Sequence, residues 1–169
     1  MTIPLAYPFA DTKTVSLVPI VDARDDKKAS VNFDKLQEKA QKILENKGYE
    51  VTLAEASDAL SGVNTDDLKE ATPDFVRGLG SPRDRWVMVL CLNDVASKMT
   101  FGSTGNAEMT GFLFDKQSGK LAWSNKGIGQ AGQGGLAGMM MKGMMKGEAL
   151  AGALWHVLSS VPPQPRSTR

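Results

Sequence analysis

The chain has 169 residues, 41% hydrophobic and 23% charged, so one core of ordinary globular proportions is the starting expectation. Lys and Arg total 20 against 19 Asp and Glu, which leaves no field of one sign to draw the molecule to nucleic acid or an anionic membrane. Cys91 is the single cysteine and no run of about 18 apolar residues occurs, so an internal disulfide, a clustered thiolate metal site and a membrane-spanning helix are all excluded.

Residues 1–13 read as an extended N-terminal segment. The start M-T-I-P-L-A-Y-P lacks the charged and apolar regions of a secretory signal, which suits either a cytoplasmic protein or one whose export segment lies outside this stretch. Thr14 to Val21 (T-V-S-L-V-P-I-V) is dense in β-branched residues and predicts a first strand, with Pro19 confined to its end or to a sheet edge. In the loop Asp22 to Lys28, the carboxylates of Asp22, Asp25 and Asp26 are of the type that binds a divalent cation. Arg24, Lys27 and Lys28 neutralise them, and a solvated mixed-sign run is expected. Phe33, Leu36, Ala40, Ile43 and Leu44 recur at helical spacing, with Asn32 as N-cap, Asp34 in the first turn, and Lys47 and Gly48 at the close.

Tyr49 to Leu53 predicts a short second strand. Glu55 to Leu60, Asp66 to Ala71 and Asp74 to Leu79 read as short helices, the later two begun by Thr65 and by Thr72 with Pro73. Arg77, Arg83 and Arg85 form a small basic cluster, read as surface charge. Trp86 to Leu92 (W-V-M-V-L-C-L) has no polar interruption and predicts a central strand buried on both faces, with Cys91 an inert core thiol. Glu108 to Phe114 should pair with Lys120 to Ser124 through a turn from Asp115 to Gly119, where Gly119 supplies positive φ.

The following stretch is rich in glycine and methionine. Gly127, Gly129 and Gly132 satisfy G-x-G-x-x-G, but the second strand of a dinucleotide-binding unit is missing and Glu148, at the right distance for its acidic residue, sits in a run that continues as helix, so a flexible glycine loop is expected. A helix should run from about Gly135 to Leu158. Met139, Met140, Met141, Met144 and Met145 wrap its start without a ligand spacing for Cu(I), and form a candidate interaction surface. Its interior glycines cost up to about 1 kcal/mol each, so the helix needs tertiary or partner contacts. Residues 161–169, with Pro162, Pro163 and Pro165, read as a disordered, solvated tail. His156 is the sole histidine, no serine lies in G-x-S-x-G, and no phosphate-cradling G-x-x-x-x-G-K-[ST] occurs. No catalytic set and no cofactor or metal is therefore expected.

The order T-V-S-L-V-P-I-V-D-A-R-D, then a helix ending N-K-G-Y-E-V, then D-F-V-R-G-L-G and W-V-M-V-L-C-L, then G-F-L-F-D-K-Q-S-G-K-L-A-W, resembles small bacterial cell-envelope lipoproteins. It is similar to the group sharing an α/β fold with the curli-secretion lipoprotein, the penicillin-binding-protein activator lipoproteins and the amino-terminal domain of the Tol-Pal translocation protein. The resemblance spans roughly Thr14 to Leu158, and its most specific part is the hairpin ending in Trp123. It implies export to the periplasm, with membrane contact only through a lipid anchor; no lipobox cysteine occurs in this stretch.

The expectation is one α/β sandwich over residues 14–160, a mixed sheet of about five strands with helices on at least one face. Its function is expected to be non-enzymatic, exercised in the periplasm or at the outer membrane through contacts with other envelope proteins or with its own copies. The alternative is a cytoplasmic domain that binds a nucleotide or small anion at the Gly127 to Gly135 loop.

Overall fold

The β-branched run at the front of the chain forms two strands, because Pro19 interrupts it. In the computed structural model, which describes residues 8, 12–27, 30–55, 58–100, 102–134 and 142–164, β1 spans Thr14–Leu17 and β2 spans Val21–Asp22. Both lie parallel to the same edge of β4 (Trp86–Thr100), and the residue after each keeps contact: Val18 N donates to Met88 O at 3.3 Å and Ala23 N to Leu92 O at 2.9 Å. The single strand expected there is thus divided where proline has no N–H to give.

Helix α1 (Phe33–Asn46) begins as its sequence dictates, with Asn32 Oδ1 accepting from Lys35 N at 3.1 Å. It stops at Gly48, whose φ of 95° only glycine adopts freely. Leu36, Ala40 and Leu44 carry its buried face onto the sheet. The crossover delivers β3 (Glu50–Leu53) parallel to β1 on the outer side, with Thr14 level with Glu50. A 3₁₀ turn (Asp58–Leu60), α2 (Thr65–Lys69) and α3 (Pro73–Arg77) then cross the opposite face. Asn64, not Thr65, caps α2, because Asp67 reciprocates and completes a capping box; Thr72 caps α3 with Pro73 in its first turn.

Strands β4, β5 (Gly102–Asp115) and β6 (Lys120–Gly134) form an antiparallel meander, and the six-stranded sheet has the order β3-β1-β4-β5-β6 with β2 beside β4. Gly119, at φ 70°, makes the turn between β5 and β6. Helix α4 (Lys142–Ser159) joins α1 on one face, over Val15, Leu90, Met109 and Trp123; the short helices cover Val87, Val89, Phe112 and Phe114 on the other. The result is a mixed α/β sandwich of three layers.

Three expectations need correction. Strands β4 and β5 continue well past the apolar run, to Thr100 and from Gly102, because beyond a one-residue bulge at Asn93 the ladder resumes and runs on to Thr100 opposite Gly102. The expected glycine loop is strand: Gly127 to Gly134 pair residue by residue with Met109 to Gly102. The tail is not solvated from its first residue, since Val161 is buried, Tyr49 Oη donates to Pro162 O at 2.5 Å and Gln164 N donates to Lys47 O at 2.7 Å. The first part of the expected terminal helix, 135–141, lies outside the described residues.

Candidate interaction surface at the edges of the sheet

Alternation along β6 explains its glycines. Lys126, Ile128 and Gln130 are exposed, whereas Gly127 and Gly129 are buried beneath α4. A methyl group at position 129 would fall on the backbone of Ala149 and Ala153, and one at 127 would sit 2.6 Å from Val157 N. Ala149 and Ala153, one helical turn apart, complete a junction in which strand and helix meet backbone to backbone. Gly111 on β5 serves the same junction, for a Cβ there would lie 2.7 Å from Val157 Cγ1. The G-x-G spacing is therefore a packing device, with no cradle left for a phosphate, and the nucleotide alternative loses its loop.

Polar side chains stitch the rim of this junction. Asn125 Nδ2 donates to His156 O at 3.2 Å and to Val157 O at 2.9 Å, satisfying carbonyls that the end of a helix leaves without partners. His156 Nδ1 lies 2.5 Å from Ile128 O, so the ring donates to an outward-facing carbonyl of the edge strand. The lone histidine of the sequence is an edge cap. Beside it, Trp155 is 55% exposed and Ile128 is 51% exposed; on the far edge of the sheet, Leu53 of β3 is 52% exposed. Among the described residues these are the large hydrophobic side chains left in solvent. Charges flank both edges, with Lys126 paired to Glu108 near β6 and Lys13 lying 3.7 Å from Glu50 on β3.

The other candidates from the sequence are accounted for locally. Arg24, expected in a solvated loop, is buried and grips both carboxylate oxygens of Asp22 at 2.7 and 2.9 Å, which holds that carboxyl below its ordinary value. Arg85 binds Asp115 through 3.0 and 3.1 Å contacts and lies 4.7 Å over the Trp86 ring, with the same effect on Asp115. Arg77, Arg83 and Arg85 do share one cleft with Lys116, but Lys116 Nζ donates to Ser81 O at 2.7 Å. Cys91 is fully buried and its thiol is pushed up to about 12 by loss of solvation. Among the described residues no group of three His, Cys, Asp or Glu is arranged to hold a metal, and no helix is long and apolar enough to cross a membrane. Met144 and Met145 lie in the first turns of α4, while Met139, Met140 and Met141 lie outside the described residues.

No protein-family model matches the chain, and no curated protein matches it. Solved structures do. The chain shares its fold with the PelC dodecamer from Paraburkholderia phytofirmans, at 17% identity over 95% of this chain and 97% of that one, with a TM-score of 0.56. A single-residue variant of the same dodecamer superposes at 0.59, with 18% identity over 96% of this chain and 97% of that one. Lipoprotein GNA1162 from Neisseria meningitidis is also similar, at 17% identity over 76% of this chain and 90% of that one and a TM-score of 0.48. The single α/β sandwich with a mixed sheet that the sequence leads one to expect is the fold found.

Proposed function

We propose that this protein is a non-enzymatic component of the bacterial cell envelope that works by protein contact, and first of all by assembling with its own copies. The observation that carries this reading is the concentration of exposed Leu53, Ile128 and Trp155 on the two outer strands of the sheet and the helix beside one of them. Single exposed hydrophobics are ordinary on any surface; three that share the two sheet edges are a pattern of contact. The full-length likeness of fold to a protein that forms a dodecamer supports the same reading. The resemblance of the sequence to small bacterial cell-envelope lipoproteins supports a location in the periplasm, with a lipid anchor as the membrane attachment. The sequence run from Met139 to Met145 has the composition of an adaptable contact for other envelope partners.

The test has two arms. Sedimentation velocity of the purified protein should give a mass several times that of one chain, and cross-linking in living cells should recover self-adducts together with envelope proteins. A strictly monomeric protein that cross-links to nothing in the envelope refutes the proposal.

A further inference from the structure

Resting on the self-assembly reading, we infer that the junction between copies is head to tail: the β6 edge of one copy, with α4 beside it, receives the β3 edge of the next. The occupant of each edge is a second copy of this chain, and successive copies continue one sheet.

Strand polarity makes this seating possible. Strands β3 and β1 are parallel to β4; β5 reverses direction and β6 reverses it again, so the two outer strands of the sheet run the same way. Rotating a copy about an axis along the strands brings its β6 beside the neighbour's β3 as a parallel pair, with no copy inverted. Such a heterologous contact closes into a ring when the rotation divides the circle. Pairing β6 with β6 would instead give an antiparallel, two-fold dimer and leave Leu53 bare.

The outward backbone groups also match. Glu50 N donates to Lys13 O and Ala54 N to Leu17 O, so the alternation of a parallel strand turns the peptide groups of Val51 and Leu53 away from the sheet. On β6 the outward carbonyl is marked by His156, which holds Ile128 O. Seating Glu50 level with Lys126 brings acid beside base on the face that carries α2 and α3. The same register sets Leu53 level with Gly129, which offers no side chain to obstruct it, on the face where α4 carries Trp155. It also carries the Leu53 N–H to Ile128 O, so that it replaces the imidazole. His156 thus occupies the acceptor of a free edge until a strand arrives.

Mixing two variants tests the direction of the contact. Leu53→Asp damages only the β3 edge and Trp155→Asp only the β6 side; both side chains are solvent-exposed, and circular dichroism verifies the fold. Ile128→Glu is a second variant of the β6 side. Each variant alone should sediment as a monomer, and an equimolar mixture of Leu53→Asp with Trp155→Asp should recover dimers through the one intact junction. An assembled wild type whose variants either assemble unchanged or stay monomeric when mixed overturns the head-to-tail junction and leaves the self-assembly reading standing. A monomeric wild type overturns that reading itself.

Discussion

Two stretches of the same sheet bury their residues by different means. From Trp86 to Leu92 every position of β4 is buried, and volume is filled by Val, Met, Leu and, across the ladder, Phe112 and Phe114. Along β6 from Lys126 to Gln130 only alternate positions are buried, and those are glycines pressed against the backbone of α4. The boundary falls at Asn93, where the β4–β5 register slips by one residue. There Asn93 Oδ1 accepts from Thr65 Oγ1 at 2.6 Å and Asn93 Nδ2 donates to Thr110 Oγ1 at 2.6 Å, tying α2 to the last part of the sheet it covers. Beyond the bulge one face carries Glu108, Lys126 and Ile128 and, among the described residues, has no helix over it. Side-chain volume holds the doubly covered part, and close backbone approach holds the singly covered part.

The largest effect expected is in the doubly covered part. Leu90→Asp places an unpaired carboxylate in a strand with no solvent face and should cost more than about 4 kcal/mol, leaving the protein unfolded by circular dichroism. If that variant melts normally, the account of β4 is wrong. Gly129→Val tests the other means of burial. Its side chain meets helix backbone, which cannot swing aside, so urea denaturation should register a loss of about 3 kcal/mol or more. A value near zero would mean that α4 is not seated on β6 as described.

Acid should act on the ion pairs that border the sheet. Asp22 and Asp115 are both held below the ordinary 3.8 by their arginines, so they contribute stability that is complete above that pH and disappears as pH falls through the lowered values. Urea midpoints should therefore decline on acidification below about pH 4, and Arg24→Met should flatten part of that decline while lowering neutral-pH stability by ~1–3 kcal/mol. The smallest effect belongs to the exposed edge. Ile128→Thr should move stability by less than about 0.5 kcal/mol, since its loss leaves no cavity. A larger loss would mean that Ile128 packs within its own chain.

Legibility in the sequence follows the same division. Elements built from large apolar side chains announced themselves: α1 through the spacing of Leu36, Ala40 and Leu44, β4 through its unbroken run, and the β5–β6 turn through Asp115 and Gly119. The extension of β6 was hidden because its pattern is inverted, with Ile128 outside and Gly127 and Gly129 inside, so hydrophobic alternation has nothing to register. The burial of Arg24 leaves no mark in the sequence, because its bidentate partner lies two residues away in what reads as a charged loop. The edge surface could not be read at all: exposure of Leu53 and Trp155 depends on which strands end the sheet. The role of His156 depends on a contact with Ile128, 28 residues earlier in the chain.

Native mass spectrometry of the unmodified protein is the most direct test of its central property, assembly through its sheet edges. One dominant closed stoichiometry, stable on dilution, is the predicted spectrum; a spectrum of single chains at every concentration contradicts it.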